Sequence, residues 1–432
     1  METRYFKRNR YLDRLIAFKD TDLIKVVTGI RRCGKSTLLD MMRQHLIGEG
    51  VEPGRLFTFK MESFEFSDIR DYRELYRIVR KRVGDSESPY LFFDELQNVE
   101  DWEKAINALR VDLPCDIYVT GSNAFLLSSE IATLISGRYV EVRVHPLTFA
   151  EYLEFGEFHL SDASSAAVAQ DGEIVLLSDL LERYLAFGGF PYIAKSNLPE
   201  DACKEYVHSL YQTVIERDIL SRDARRGRRA ITQRGLLERI CRYLADNISN
   251  STSINKIVGT LKGEAGSKAS NATVAAYIDA LEETYLFTNV RRFDLKGRDV
   301  LKTGGKYYIE DLGIRSYLDG YRGSDSGRVL ENTIYNQLVY EGYDVYTGHL
   351  RAGEVDFVAI GSGSDRKFIQ VTESIDERAT REREFRPLKF LTLGKVTDES
   401  EKILVVKTGS HPSDIDGIKI VSAVDFLLGR YS

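Results

Sequence analysis

The sequence has few cysteines and no long apolar segment. Its four cysteines, Cys33, Cys115, Cys203 and Cys241, are widely spaced and form no C-x-x-C pair. This pattern argues against a zinc site and against a disulfide framework. No run of about 18 apolar residues occurs, so we expect no membrane-spanning helix and no membrane partner. Residues 1–20 are polar and charged without the apolar core of a signal peptide, which favours a cytoplasmic location.

The chain also lacks an excess of positive charge. Its formal net charge is −6, so any surface that binds nucleic acid must be local. Hydrophobic residues make up 43% of the sequence and charged residues 29%, which is typical of a globular protein. The length of 432 residues predicts roughly two to four domains.

A phosphate-binding loop is the strongest motif in the chain. Residues 29–37 read G-I-R-R-C-G-K-S-T and fit the pattern G-x-x-x-x-G-K-[ST]. An apolar run at 23–28 predicts a buried strand before the loop, and residues 36–46 have helical periodicity after it. Glycines let backbone N–H groups point inward and the helix start adds positive charge, so the loop forms an anion cradle. The residues predicted to bind nucleotide are Gly29, Ile30, Arg31, Arg32, Cys33, Gly34, Lys35, Ser36 and Thr37.

Four side chains have specific predicted roles in binding and hydrolysing ATP. Lys35 is expected to reach the β- and γ-phosphates, and Ser36 to ligate Mg²⁺. A second apolar run at 90–95, Y-L-F-F-D-E, predicts a buried strand that ends in two carboxylates. Ligands bind at the carboxyl ends of strands in open α/β sheets. We therefore predict that Asp94 holds Mg²⁺ and that Glu95 polarises the attacking water.

Polar residues next to two further predicted strands are candidate catalytic residues. Ser122 and Asn123 follow a strand predicted at 116–121. We predict that Asn123 senses the γ-phosphate, with Ser122 as the alternative. Arg138 precedes a fifth strand predicted at 139–144. It is a candidate arginine finger, acting in cis or on a neighbouring subunit of a homo-oligomer, or else a surface salt-bridge residue.

These motifs resemble a known family. The segments at 29–37, 91–97, 120–124, 136–138 and 146–152 are similar to the AAA-type ATPases of the AAA_14/DUF4143 family, which are prokaryotic ATPases of largely unknown role. The similarity covers nearly the whole chain, since it continues at 188–191, 217–219, 307–313, 354–357 and 369–371. It implies an α/β fold with a P-loop AAA-type parallel sheet, ATP and Mg²⁺ as cofactors, and ATP hydrolysis as the activity.

Four domains are predicted along the chain. Residues 1–150 form the P-loop ATPase domain. Residues 151–230 form a helical connecting region, in which the Ser/Ala/Gly-rich stretch 156–178 is expected to be a surface loop or small insertion. Residues 231–310 form a winged helix, and residues 311–432 a DUF4143 C-terminal domain with a degenerate nuclease-like fold.

The winged helix is predicted from three helices, at 236–244, 253–261 and 273–283, and from a hairpin after them. In DNA-binding proteins the third helix enters the major groove. Acidic residues on that helix argue against phosphate contact, and packing against protein is the alternative. An arginine-rich stretch is typical of a surface that binds the phosphates of DNA or the nucleotide of an adjacent subunit, and also of a solvated face. Its arginines are Arg217, Arg222, Arg225, Arg226, Arg228, Arg229 and Arg234.

The C-terminal domain resembles the restriction-endonuclease-like fold. Glu331 lies on a predicted helix, and Asp356 and Gln370 lie on predicted strands. Such nucleases need a lysine two residues after the Gln position, where this chain has Thr372. We therefore expect a degenerate module without efficient cleavage, and a metal site at Glu331 and Asp356 as the alternative.

The sequence predicts an Mg²⁺-dependent molecular switch that binds and hydrolyses ATP, releases ADP and moves C-terminal binding domains. A protein partner is expected, and the sequence does not identify it. Two alternatives stay open, a nucleotide-gated DNA-binding protein and a metal-dependent nuclease.

Overall fold

The computed structural model describes residues 6, 8–124, 137–161, 165–196, 198–221, 231, 233–263, 269–297, 299–320, 325–350, 353–393 and 399–431. The chain divides into two units. The first contains Met1–His145 and Glu283–Tyr285, and the second contains Pro146–Glu282 and Leu286–Ser432. Within the described ranges, no helix is both long enough and apolar enough to cross a membrane.

The first unit alternates helices and strands, as an α/β domain with a parallel sheet requires. Its helices are α1 (Asn9–Ala17), α2 (Lys35–Gly48), α3 (Tyr72–Val83) and α4 (Trp102–Asp112). Its strands are β1 (Ile24–Thr28), β2 (Leu56–Lys60), β3 (Tyr90–Asp94), β4 (Asp116–Thr120) and β5 (Tyr139–Arg143). The strands predicted at 23–28, 90–95, 116–121 and 139–144 all form, within one residue of the predicted bounds.

The five strands form one parallel sheet in the order β2-β3-β4-β1-β5. Strands β1 and β4 are buried along their whole length, which explains their nearly continuous apolar sequences. Because all five strands run the same way, the loops after β1, β3 and β4 meet at one edge. This arrangement confirms the predicted P-loop type of sheet for the first unit.

Lys25 is a charged residue inside the buried strand β1. Its side chain is fully buried and forms an ion pair with Asp116 on the neighbouring strand β4. The hydroxyl of Tyr118 donates to the same carboxylate at 2.9 Å, and the Asp20 N–H donates to it at 3.0 Å. The pair is therefore hydrogen-bonded as well as neutral, which a buried ion pair needs.

The second unit begins with helices and a small sheet. Its first helices are α5 (Phe149–Phe155), α6 (Leu177–Phe187), α7 (Pro191–Ser196) and α8 (Glu200–Thr213), and α8 continues as a π-helix at Val214–Leu220. Strands β6 (His159–Leu160), β7 (Ala166–Val168) and β8 (Ile174–Leu176) pair antiparallel within the stretch predicted to be a loop or insertion. These strands contradict the loop interpretation, while the alternative of a small insertion stays a prediction. Strands of two or three residues are too short to show alternation in the sequence.

The rest of the second unit is built on a nine-stranded sheet. Its helices are α9 (Arg234–Asp246), α10 (Ile254–Gly263), α11 (Asn271–Glu283), α12 (Leu312–Asp319), α13 (Ser326–Tyr340), α14 (Arg378–Leu393) and α15 (Ala423–Leu427). Its strands are β9 (Ser251–Thr252), β10 (Phe287–Asp294), β11 (Asp299–Ile309), β12 (Asp344–Leu350), β13 (Gly353–Ile360), β14 (Arg366–Thr372), β15 (Glu401–Val406), β16 (Asp414–Ile415) and β17 (Ile418–Ser422).

The nine strands follow the order β16-β17-β15-β14-β13-β12-β10-β11-β9. The antiparallel hairpin β10–β11 pairs on one side with β9 and on the other, in parallel, with β12. One sheet therefore runs through the position at 310/311 where the sequence predicts a domain boundary. The three predicted helices at 236–283 form as α9, α10 and α11, and their interpretation as a winged helix stays a prediction.

Candidate nucleotide-binding site

The phosphate loop connects β1 to α2 at the carboxyl edge of the first sheet. Gly29 has φ +135°, and a Cβ built on it would lie 2.0 Å from the backbone oxygen of Val144. Gly34 has φ +107°, so any other residue there would be strained. Both glycines are therefore required by the backbone, as the motif predicts. The first N–H groups of α2, which starts at Lys35, complete an anion site of the expected kind.

Lys35 and Ser36 occupy the positions expected of nucleotide-binding residues. Lys35 is buried, and its ammonium donates to the backbone oxygens of Gly29 at 3.0 Å and Ile30 at 3.1 Å. Ser36 Oγ donates to Asp94 Oδ1 at 2.8 Å, across 58 residues of sequence. A hydroxyl and a carboxylate that meet in this way are hard oxygen ligands of the type that suits Mg²⁺.

Thr120 joins the two acidic residues of the site. Its hydroxyl, at the end of β4, donates to Asp94 Oδ1 at 2.6 Å and accepts the backbone N–H of Glu95 at 3.0 Å. Sequence reasoning did not single out Thr120. The available signal was a hydroxyl residue at the carboxyl end of an apolar strand that neighbours the Asp-Glu strand.

Glu95 is buried and held in an uncommon backbone conformation. Its φ is +56°, in the left-handed region that side chains other than those of Gly, Asn and Asp rarely adopt. Its Oε2 accepts from Gln97 and from Ser122 Oγ, the latter at 3.4 Å, and it lies 3.6 Å from Arg31 Nη1. This strained, hydrogen-bonded carboxylate at the carboxyl edge fits the predicted role of Glu95 in activating water.

Of the two candidate sensors that follow β4, Ser122 donates from Oγ to Glu95 Oε2 at 3.4 Å. Asn123 is buried beside it, with 3% of its surface exposed. Asn123 thus lies in the predicted turn, and its role as γ-phosphate sensor stays a prediction. Ser122, the alternative, has the direct hydrogen bond to the carboxylate.

Arg138 lies at the opposite side of the sheet from the phosphate loop, where the amino ends of the strands are. The register pairs Ile24 with Tyr139 and Thr28 with Arg143, so Arg138 is next to the amino end of β1. Its Nη1 donates to Asn107 Oδ1 at 3.1 Å. The structure contradicts the interpretation of Arg138 as an arginine finger in cis, because the phosphate loop begins at the opposite end of β1. Its action on a neighbouring subunit stays a prediction.

Arg8 is a further residue of the site that sequence reasoning missed. It is buried, and its Nη1 donates to the backbone oxygens of Cys33 at 3.0 Å and His145 at 2.8 Å. The guanidinium also lies over the ring of Tyr11, 4.6 Å from its centroid. Arg8 therefore ties the segment before α1 to the phosphate loop. No local pattern in the sequence marks such a contact.

The third helix of the predicted winged helix carries no basic side chain. The exposed positions of α11 include Asn271, Ala272, Ala276 and Asp279, and the helix contains neither lysine nor arginine. Arg234 donates to Glu238 at 2.8 Å and pairs with Glu216, while Arg217 is exposed. Arg222, Arg225, Arg226, Arg228 and Arg229 lie outside the described residues. The DNA interface stays a prediction.

The carboxylates of the predicted nuclease-like site surround a lysine in the second unit. Lys306 Nζ on β11 lies 2.9 Å from Glu331, 2.7 Å from Glu354 and 3.4 Å from Asp356. Burial alone would lower the pKa of Lys306, but the carboxylates outweigh it and hold the pKa above its ordinary value. Burial, with the charge of Glu331, raises the pKa of Asp356 to about 8.

Lys306 corrects one reason for the predicted lack of nuclease activity. Thr372 does replace the expected lysine, but an ammonium reaches the carboxylates from a different strand. Gln370 Oε1 accepts from the Asp356 N–H at 3.3 Å, and Gln370 Nε2 donates to Glu384 at 2.8 Å. The lysine pairs with both Glu331 and Asp356, the two residues considered as metal ligands. We still expect no efficient cleavage, because the lysine is paired with both carboxylates that a metal would need. This expectation stays a prediction.

Comparison with known proteins agrees with the geometry of the first unit. The AAA_14 family model, described as an AAA domain, matches residues 21–153, and a domain of unknown function, DUF8612, matches residues 178–325. The DUF4143 assignment is not shown. An uncharacterized protein of Haemophilus influenzae is 35% identical over 430 residues, covering 99% of this chain and 100% of that protein.

More distant similarities extend the comparison. The uncharacterized protein MJ1544 of Methanocaldococcus jannaschii is 28% identical over 376 residues, covering 84% of this chain and 77% of that protein. Among solved structures, the Walker-type ATPase PABY2304 of Pyrococcus abyssi is similar with a TM-score of 0.50 and 16% identity, over 73% of this chain and 96% of that chain. This likeness supports the P-loop ATPase fold.

Proposed function

This chain belongs to the family of AAA-type P-loop ATPases, and we propose that it binds ATP with Mg²⁺ and hydrolyses it at the carboxyl edge of its parallel sheet. The observation that carries the proposal is the hydrogen bond of 2.8 Å between Ser36 Oγ and Asp94 Oδ1. It joins the phosphate loop to the Asp-Glu motif, which are far apart in the sequence. Glu95 is the next residue after this contact, at the same edge.

The proposed mechanism assigns one task to each residue. The N–H groups of residues 29–37 bind phosphate oxygens, and Lys35 leaves the carbonyls of the loop to pair with the β- and γ-phosphates. Ser36 and Asp94 would hold Mg²⁺, which would supply positive charge against the phosphates. Glu95 orients the attacking water and accepts its hydrogen bond, and Asn123 or Ser122 senses the γ-phosphate.

A substitution of Glu95 tests this proposal. Glu95→Gln is expected to lower ATP turnover by about 100-fold or more while nucleotide binding remains, because the amide cannot act as a base. Lys35→Ala is expected to lose nucleotide binding. Steady-state phosphate release and calorimetric binding of ATP measure the two effects. Glu87→Gln, an exposed residue before β3, is the matched control. Equal phosphate release by wild type and Glu95→Gln would remove Glu95 from the mechanism.

We also propose that the nucleotide state is transmitted to the second unit, as expected of a molecular switch. Strand β5 pairs with β1 along its whole length, and the Val144 N–H donates to Thr28 O at 2.8 Å. The strand that leads to the phosphate loop is thus bonded to the strand that leads out of the first unit. Hydrogen exchange of residues 146–431 in Glu95→Gln, with ATP and with ADP, tests this, since identical exchange contradicts it.

A further inference from the structure

Arg31 is a phosphate-loop residue whose side chain is engaged by carboxylates. Its side chain is only 10% exposed, and its Nη2 donates to Glu62 Oε1 at 2.9 Å. Its Nη1 lies 3.6 Å from Glu95 Oε2. The phosphate-loop pattern accepts any residue at this position, so the motif itself does not explain a buried arginine there. Arg31 therefore connects the loop that binds phosphate to the carboxylate that activates water.

Several donors meet on the same oxygen of Glu95. Oε2 accepts from Gln97 and from Ser122 and also lies next to Arg31. These contacts act on Oε2 and fix the orientation of the carboxylate. The carboxylate is thus held by its neighbours through Oε2. Arg31 is the cation among them, and it is the one that sits on the phosphate loop.

A triphosphate in the loop would compete with Glu95 for Arg31. A guanidinium binds phosphate through two parallel N–H donors, and such charge-assisted bonds are stronger than a single ion contact at 3.6 Å. We infer that Arg31 is a positioning residue that holds Glu95 in the nucleotide-free site and transfers to the γ-phosphate when Mg²⁺–ATP binds. Glu95 Oε2 then loses its cationic neighbour, so the carboxylate changes orientation when the site is loaded. This inference rests on the proposed function.

A double-mutant cycle on nucleotide affinity tests the transfer. If binding breaks the Arg31–Glu95 contact, Glu95→Gln frees Arg31 in advance and tightens triphosphate binding. That gain needs Arg31, so it should be smaller in the Arg31→Met background by more than about twofold, the lower end of coupling between contacting residues. Isothermal titration with Mg²⁺ and the non-hydrolysable analogue AMP-PNP measures all four variants. The same titration with ADP should show no such difference, because ADP lacks the γ-phosphate.

The neighbouring Arg32 provides a matched control. It lies in the same loop, is exposed, and carries the same charge. Whatever Arg32→Met does to affinity, its effect should be equal with and without Glu95→Gln. Arg31→Lys keeps the charge but loses the paired N–H donors of the guanidinium, so it should give an intermediate coupling. Thermal unfolding of each variant checks that it folds.

The outcomes separate the inference from the proposed function. If the wild-type chain binds neither nucleotide, the proposed function and the inference both fail. If it binds AMP-PNP and Glu95→Gln tightens binding equally in the Arg31 and Arg31→Met backgrounds, only the inference is overturned. A coupling that appears equally with ADP also overturns it, because the contact would then not respond to the γ-phosphate.

Discussion

Thr120 is a single hydroxyl that bonds to both acidic residues of the candidate site. It is fully buried, and it donates to Asp94 while it accepts the N–H of Glu95. The N–H bond fixes the left-handed turn at Glu95, and the other bond orients the carboxylate toward Ser36. Groups that orient a metal ligand in this way affect metal affinity although they do not touch the metal.

We expect Thr120→Val to lower the apparent affinity for Mg²⁺ by about 10–100-fold. Valine has nearly the same shape as threonine but cannot donate a hydrogen bond to the Asp94 carboxylate. The phosphate-release rate, measured against Mg²⁺ concentration, should shift to higher Mg²⁺ and recover in part when Mg²⁺ is in excess. Thr58→Val, on strand β2, is the control, because β3 separates β2 from the strand of Thr120. An unchanged Mg²⁺ dependence in Thr120→Val would show that Asp94 is oriented without this hydroxyl.

The residues that sequence reasoning found and missed differ in how their contacts are encoded. Residues 29–37 could be predicted because one contiguous pattern sets their backbone and chemistry. Arg8, Thr120 and Lys306 could not, since each acts on a group 25 residues or more away along the chain. Their roles depend on which strands and loops become neighbours, which a single sequence does not state.

Helix α12 in the second unit begins at a buried carboxylate. Asp311 accepts the Gly189 N–H at 2.7 Å through Oδ2 and the Gly313 N–H at 2.8 Å through Oδ1. A Cβ at Gly188 would lie 2.0 Å from Oδ1, so only glycine lets the turn come this close to the carboxylate. Burial raises the pKa of Asp311 from 3.8 to about 7. The Asp311 side chain therefore links the start of α12 to the turn after α6, and its contribution to the free energy of unfolding depends on pH.

The sign of that dependence follows from linkage. The unfolded chain releases the Asp311 proton above about pH 4, whereas the folded chain keeps it until about pH 7. The contribution of Asp311 to the free energy of unfolding should therefore fall as the pH rises from about 4 to about 7, by at most about 4 kcal/mol. We expect Asp311→Asn to remove this slope and to cost about 1–3 kcal/mol, since one N–H loses its acceptor.

Urea unfolding at several pH values, followed by circular dichroism, measures both effects. The control is Asp344→Asn, at an exposed position at the start of β12, which should keep the wild-type slope. A wild-type slope that persists in Asp311→Asn would mean that another group supplies it.

At the scale of elements, the parallel sheet was more predictable than the second unit. Strands such as β1 and β4 are runs of five buried residues, and helices separate the strands of this unit, so both length and pattern point to a parallel sheet. The strands β6–β8 are too short for such a pattern. The pairing of β10 with β12 joins segments about 50 residues apart, so the continuous nine-stranded sheet could not be foreseen from local patterns.

At the scale of the whole molecule, the position of Arg138 bears on assembly. The pairs Ile24–Tyr139 and Thr28–Arg143 span the full length of β1, about 13 Å at the rise of a strand. Arg138 lies beyond the amino end of that span, and the phosphate loop lies beyond the carboxyl end. If Arg138 is an arginine finger, the site that it completes belongs to a second copy of the chain.

A mixing experiment tests this in the intact protein. We expect the wild-type ATPase rate per chain to rise with protein concentration, and Arg138→Ala to lose up to about 1,000-fold in rate. Lys35→Ala is expected to be inactive but keeps Arg138, so an equal mixture of the two variants should exceed the sum of their separate rates. Arg80→Ala, which removes an exposed arginine of α3, should behave as wild type. A rate per chain that is independent of concentration, with no gain on mixing, would mean that each chain hydrolyses ATP without Arg138 from a neighbour.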